Sequence, residues 1–85
     1  IFVRKRKFKL NYKVSKIIVL GSGLVGSVMA DDLSMNHDVT SVDISTKNLE
    51  NIKSNNVKKL NQNILESNNL ENLIKDFDLV IGALP

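Results

Sequence analysis

A short apolar run leads directly into a glycine-rich loop: Ile17-Ile18-Val19-Leu20 is followed by Gly21-Ser22-Gly23-Leu24-Val25-Gly26. Four consecutive apolar residues without alternation are typical of a strand that is buried on both faces, as in a parallel sheet. After the loop, apolar residues recur at helical spacing, at Leu24, Val25, Val28, Met29 and Leu33. The pattern predicts a buried strand, a tight turn and an amphipathic helix.

The rest of the chain repeats this alternation. The predicted elements are a strand over 39–42, a helix begun by Ser45 or Thr46 and ended near Asn55, a strand over 57–60, a helix over 66–75 and a strand over 79–81. Strands that alternate with single helices pair in parallel, so we expect an α/β Rossmann-type sheet of order 3-2-1-4 with flanking helices. Because the chain starts without Met and ends just after a strand, we expect a truncated fragment.

Cations are unevenly distributed along the 85 residues. The first 13 hold six of the twelve Lys and Arg residues and no acid, whereas residues 14–85 hold six lysines and nine acids. We expect 1–15 to be a disordered basic extension and 16–85 to be the folded but incomplete domain. There is no cysteine, and no apolar stretch reaches the roughly 20 residues of a bilayer crossing. We expect a cytoplasmic protein with neither nucleic acid nor membrane as a partner.

Each glycine of the loop meets one requirement of a phosphate-binding turn. Gly21 would end the strand where a Cβ would clash, and Gly23 would let a pyrophosphate approach the main chain. Gly26 would let the helix pack closely on the first strand. The loop follows a buried strand, opens a helix and is followed by an acid at the end of the next strand, Asp43. In that context the loop predicts dinucleotide binding by residues 16–85.

The start of the helix would contribute backbone groups to the same site. Its free N–H groups and the positive end of its dipole favour an anion. Leu24 and Val25 would therefore bind the phosphates through their amides rather than their side chains. With Ser22 inside the loop, the whole segment 21–26 is predicted to contact the cofactor.

Asp43 bears on which dinucleotide is bound. A carboxylate at the end of the second strand can accept hydrogen bonds from the adenosine ribose hydroxyls and would repel a 2′-phosphate. Ile44 follows it, so the Arg that could hold a 2′-phosphate is missing there. We predict NAD rather than NADP as the cofactor. The alternative is that Asp43 only caps the following helix.

The remaining polar residues form no pattern typical of catalysis or metal binding. His37, the one histidine, is predicted in a surface turn away from the edge where ligands bind. Asp31 and Asp32 are adjacent on a helix and are expected to be solvated. We interpret the asparagine-rich stretch 48–72 as composition without a chemical role. The sequence thus predicts no metal site and no catalytic residue.

Two segments, Val19-Leu20-Gly21-Ser22-Gly23-Leu24-Val25 and Asp78-Leu79-Val80-Ile81-Gly82-Ala83-Leu84-Pro85, resemble the saccharopine dehydrogenase family, and the likeness covers residues 16–85. In that family the first domain is a Rossmann unit for NAD or NADP, and a later domain holds an amino-acid substrate. The resemblance implies that Ala83 lies at the edge of the cofactor crevice. It also implies a polar contact to adenine for Asn61, where many members have Asp, and agrees with NAD because NADP-using relatives tend to have Arg near Ile44.

The function implied by the motif and the resemblance is the NAD-binding part of an oxidoreductase. Hydride would pass between nicotinamide and an amino-acid carbon at a C–N bond, as in saccharopine or lysine dehydrogenases. We expect this fragment alone to be inactive, with the substrate bound by a missing domain and a homodimer as one option for the full-length protein. The alternative is a regulatory domain that senses NAD or NADH, of the kind attached to potassium transporters.

Overall fold

The computed structural model describes residues 2–5, 14–64 and 70–84. Five strands and three helices are described, in chain order β1 (Phe2–Lys5), β2 (Lys16–Leu20), α1 (Leu24–Leu33), β3 (Asp38–Asp43), α2 (Thr46–Leu49), β4 (Lys58–Asn61), α3 (Leu70–Ile74) and β5 (Leu79–Gly82). Within these described residues, no helix is long and apolar enough to cross a membrane.

The strands form one sheet in the order β1-β5-β2-β3-β4. The pairs β5-β2, β2-β3 and β3-β4 are all parallel. These four strands are the four that the sequence predicts, and their order confirms the predicted 3-2-1-4 arrangement. Because they run in the same direction, the carboxyl ends of β2, β3 and β5 meet at one edge of the sheet.

The fifth strand, β1, differs from the expectation for the N-terminal extension. Residues 1–15 are expected to be disordered, yet Phe2–Lys5 pair antiparallel with β5, with Val3 opposite Ile81. Without β1, the N–H and C=O groups along one side of β5 would be unpaired, and strand pairing satisfies them through the backbone alone. The basic side chains gave no sign of this pairing. Residues 6–13 lie outside the described part.

Apolar side chains are buried on both faces of the sheet, as the run in β2 indicates. On the face covered by α1 and α2, Ile17 and Val19 join a cluster that includes Ala30 of α1 and Leu49 of α2. The other face buries a second cluster, formed by Ile18, Leu20, Val42, Ile64, Ile74 and Val80. Consecutive residues of β2 therefore enter opposite cores, which explains why the strand shows no polar alternation.

Only part of the predicted apolar stripe of α1 faces the sheet: Met29 and Leu33 are half-buried and pack against the core. Leu24, Val25 and Val28 are exposed by 81%, 55% and 66%. The buried residues of the helix are the small ones, Gly26, Ser27 and Ala30. Small residues allow the helix backbone to approach the strands closely, and the three exposed side chains remain outside the core.

Local boundaries differ from prediction by a few residues. Helix α2 ends at Leu49 rather than near Asn55. The described span of α3 is Leu70–Ile74, and the predicted start of that helix, at residue 66, lies outside the described residues. Strand β4 begins and ends one residue later than predicted. His37 lies in the predicted turn, where its Nδ1 accepts a hydrogen bond from the Ser15 N–H at 3.1 Å.

Asp31 is not merely solvated, as the sequence suggested. Its carboxylate accepts hydrogen bonds from the N–H groups of Lys53 and Ser54, with a shortest distance of 2.9 Å. These bonds join α1 to the segment that leads into β4. The side chain therefore supports the packing of α1 against its neighbour, while Asp32 is exposed.

Candidate functional site

The glycine loop lies at the edge where the parallel strands end. The Gly21 N–H donates to the Val42 carbonyl at 2.7 Å, which ties the start of the loop to β3. On the other side, the Ala83 N–H donates to the Leu20 carbonyl at 2.8 Å. The loop is thus held between the ends of β3 and β5, at the crevice where open α/β sheets bind their ligands.

Two of the loop glycines are required by close packing. Gly21 has φ of 104°, and a Cβ there would lie 2.8 Å from the Ala83 carbonyl oxygen. A Cβ on Gly26 would overlap the carbonyl oxygen of Gly21. The turn and the approach of α1 to the end of β2 both depend on these missing side chains.

Gly23 is different, because a Cβ built on it would have no atom of the described residues within 4 Å. It is the N-cap of α1, provides no side-chain cap, and the first turn of the helix contains no acid. The first N–H groups of a helix have no partner within the helix. At this point the open space, the free amides and the positive end of the helix dipole coincide, which suits an anion such as a pyrophosphate.

The Asp43 carboxylate, at the end of β3, is 7% exposed and holds two segments together. Its Oδ2 accepts from the Ser22 N–H at 2.8 Å and from the Ser22 hydroxyl at 3.3 Å. Its Oδ1 accepts from the Ser45 N–H at 2.8 Å, and Asn48 Nδ2 lies 3.4 Å from Oδ2. The carboxylate therefore bridges the glycine loop and the start of α2.

This environment changes the pKa of Asp43 in two opposing ways. Burial raises the pKa, because removal from water disfavours the charged carboxylate. The hydrogen bonds from the Ser22 and Ser45 amides, followed by those from Asn48 and the Ser22 hydroxyl, favour the charged form and lower it. The lowering prevails, so the pKa is below its ordinary value and the group is ionised at neutral pH.

Ser22 itself is fully buried. Its amide and hydroxyl donate to Asp43, and its carbonyl accepts from Asn51 Nδ2 at 3.3 Å. These described contacts of Ser22 all lie inside the protein, and its predicted contact with the cofactor stays a prediction. By contrast, the side chains of Leu24 and Val25 are exposed, and the contact predicted for these two residues is through their amides at the start of α1.

Three further predicted residues lie around the same edge. Ile44 follows Asp43 and is 66% exposed. Asn61, at the end of β4, donates through Nδ2 to the carbonyls of Asp43 and Ile44 at 3.0 and 2.8 Å. Ala83 is half-buried beside Gly21. The structure thus brings all the predicted residues to the edge of the sheet where the parallel strands end. There the Asn61 Nδ2 already donates to backbone carbonyls.

Sequence reasoning missed two asparagines that organise this edge, Asn48 and Asn51. Ser45 is the N-cap of α2, and its hydroxyl accepts from the Asn48 N–H at 3.1 Å. Asp43 therefore acts beside this cap rather than as the cap itself. Ser45 is one of the two residues predicted to begin this helix, and the structure confirms it as the cap. The contacts of Asn48 with Asp43 and of Asn51 with Ser22 show that these two asparagines have structural roles that composition does not reveal.

The residues at this edge fit a dinucleotide. The space that a Cβ at Gly23 would fill gives a pyrophosphate access to the amides of α1. Of the hydrogen bonds described, one reaches Oδ1 of Asp43, and a carboxylate oxygen can accept more than one. A ribose hydroxyl could therefore donate there. Across the described ranges, no group of three or more His, Cys, Asp and Glu residues could hold a metal ion.

Comparison with known proteins agrees with the Rossmann-type fold. A solved UDP-N-acetylglucosamine 4-epimerase from Methanobrevibacter ruminantium M1, in complex with UDP-N-acetylmuramic acid, matches with a TM-score of 0.64 and 26% identity. The match covers 76% of this chain and 22% of that one, so the chain spans less than a quarter of the epimerase. No curated protein sequence matches the chain.

The family comparison is more specific and corrects the resemblance drawn from the sequence. Residues 9–85 match the model of the alanine dehydrogenase/PNT C-terminal domain. The match supports a Rossmann NAD(P)-binding domain of an oxidoreductase type, but not the saccharopine dehydrogenase family. The error arose because both segments that suggested that family form the glycine turn and the last strand of a Rossmann sheet, which different dehydrogenases share. The chain belongs to the alanine dehydrogenase/PNT C-terminal domain family.

Proposed function

We propose that this chain is the NAD-binding part of an oxidoreductase that acts on an amino acid. The observation that carries the proposal is the open space at Gly23, where the start of α1 presents free amides next to the buried carboxylate of Asp43. A pyrophosphate would occupy that space, and the adenosine ribose would extend toward the end of β3. When bound, the nicotinamide would supply the hydride chemistry.

The end of β3 supports NAD over NADP. The Asp43 carboxylate is charged at neutral pH, and a 2′-phosphate close to it would be repelled. Ile44 is exposed beside it and offers no positive charge to balance that phosphate. NADP should therefore bind less tightly than NAD.

An amino acid is proposed as the substrate because the matched family is named for alanine dehydrogenase. Oxidation would then take place at a C–N bond. The described residues contain the edge that would hold the cofactor, and the substrate would be held by another part of a longer protein. We expect the 85-residue chain alone to show no amino-acid-dependent formation of NADH.

Calorimetric titration of the chain with NAD tests the proposal. Gly23→Asp adds a side chain and a negative charge in the phosphate space, and it should abolish measurable binding. Asn55→Asp is the matched control, because it adds the same charge in an exposed turn before β4, at the opposite edge of the sheet. Circular dichroism would show that both variants fold. Equal NAD affinity in the parent and in Gly23→Asp would refute the assignment of the phosphate site.

A further inference from the structure

We propose that Asp43 is a positioning residue, whose carboxylate holds the glycine loop in the shape that the pyrophosphate requires. This role is additional to any contact with ribose, and it rests on the proposed function. Asp43 would thus affect binding of the phosphates, which it does not touch.

The two oxygens of the Asp43 carboxylate accept hydrogen bonds from different segments of the chain. Oδ2 accepts hydrogen bonds from both donors of Ser22, the N–H at 2.8 Å and the hydroxyl at 3.3 Å. Oδ1 takes the Ser45 N–H at 2.8 Å. Since Oδ2 is occupied by the loop, Oδ1 is the oxygen with capacity for a ribose hydroxyl. The carboxylate is therefore expected to make a one-oxygen contact with ribose, rather than a contact through both oxygens.

The position of Ser22 in the loop explains why this bond should matter. Ser22 lies between Gly21, which makes the turn, and Gly23, which borders the phosphate space. It is fully buried, and Asn51 Nδ2 donates a hydrogen bond to its carbonyl at 3.3 Å. Fixing this residue on both its amide and its carbonyl fixes the direction of the peptide that leads to Gly23.

The bond also explains the depressed pKa of Asp43, since the Ser22 amide is the largest of the contributions that favour the charged carboxylate. An amide that is directed to a charged acceptor forms a stronger hydrogen bond than one directed to a neutral acceptor. Loss of the charge should therefore loosen the loop even where the side chain keeps its size.

Asp43→Asn tests the role with two ligands, NAD and an NAD analogue that lacks the 2′ and 3′ hydroxyls of the adenosine ribose. The amide of Asn cannot accept from both Ser22 and Ser45, because its nitrogen is a donor. If Asp43 positions the loop, the variant should bind each ligand about tenfold or more weakly than the parent does. If Asp43 acts on ribose alone, the substitution should weaken NAD binding only. Equal affinity of parent and variant for the analogue would overturn the proposal.

Asp76→Asn serves as the matched control, because it removes an exposed carboxylate in the turn before β5, at the opposite edge of the sheet. Its affinity for both ligands should equal that of the parent. Urea denaturation of each variant would establish that the affinities refer to folded protein.

A second measurement uses the parent protein alone, without a ligand and without a variant. In the parent protein, the NMR shift of the Ser22 amide proton should lie downfield and follow the titration of Asp43 below its ordinary pKa. An amide shift that ignores the protonation of Asp43 would overturn the proposal. This measurement also separates the positioning role of Asp43 from the proposed function. If the parent failed to bind NAD, the proposed function would be refuted. The shift of the Ser22 amide would still decide whether Asp43 holds the loop.

Discussion

The Ser22 N–H donates a 2.8 Å hydrogen bond to Oδ2 of Asp43, and so joins two residues that are 21 positions apart in the chain. The same bond joins the glycine loop to the end of β3, two segments that a dinucleotide would contact with its phosphates and its ribose. A change at either segment should therefore alter the other.

Gly26→Ala should destabilise the fold, while Gly23→Ala should not. A Cβ at position 26 would overlap the Gly21 carbonyl oxygen, whereas one at position 23 would have open space. We expect a loss of about 1–3 kcal/mol in the free energy of unfolding for Gly26→Ala, and a change within about 1 kcal/mol for Gly23→Ala. Urea denaturation measures both. Similar losses in the two variants would contradict the assigned difference between packing and ligand access.

Stability should fall in acid partly because of Asp43. Its pKa is lower in the folded than in the unfolded chain, so the unfolded chain binds more protons as pH drops. The contribution of Asp43 is therefore present above its ordinary pKa and is lost as pH falls below about 4 toward the folded value. Urea denaturation at a series of pH values measures the decline. Asp43→Asn should show a smaller decline than the parent; an equal one would contradict the prediction.

Asp31→Ala should cost stability, and Asp32→Ala should cost little. Both substitutions remove a carboxylate from neighbouring positions of α1, but only Asp31 accepts the described bonds from the Lys53 and Ser54 amides. We expect Asp31→Ala to lower the free energy of unfolding by about 1–3 kcal/mol. Thermal or urea unfolding of the two variants makes the comparison. A loss for Asp32→Ala as large as that for Asp31→Ala would show that these bonds add no stability.

Ile44→Arg should shift the ligand preference toward NADP without releasing the loop. Ile44 is 66% exposed, so Arg can be placed there while Asp43 keeps its bonds to Ser22. An Arg near a 2′-phosphate should change the ratio of the NADP and NAD affinities by about tenfold. Ile44→Gln is the control for length without charge. The assignment of this position would be wrong if Arg and Gln gave the same ratio.

The sequence predicted the parts of the structure that depend on local patterns. The buried run at Ile17–Leu20 and the strands that alternate with single helices determined the parallel order of β2 to β5, because few arrangements can cover both faces of such a sheet. The place of the glycine loop followed in the same way. The loop's position after a buried strand, at the start of a helix and ahead of an acid that ends the next strand, could therefore be predicted from the sequence alone.

The features that the sequence missed depend on contacts between distant residues. Asn51 reaches Ser22 across 29 positions, and Asp31 reaches Lys53 across 22, and neither pair has a spacing that would reveal it. Strand β1 pairs through its backbone, which leaves no apolar pattern. Periodicity was right for Met29 and Leu33, which pack against the core, but not for Leu24, Val25 and Val28, which are exposed. The fully buried positions of α1 are small residues such as Ala30, because the helix approaches the sheet closely.

The contact between Gly26 and Gly21 has a consequence for how related sequences can vary. A side chain at position 26 would meet the backbone oxygen of position 21, and every residue at position 21 would carry that oxygen. No substitution at one position can make room for a larger residue at the other. Contacting side chains often change in compensating pairs, but these two positions cannot. In an alignment we expect each to stay glycine by itself, with no covariation between them to show that they touch.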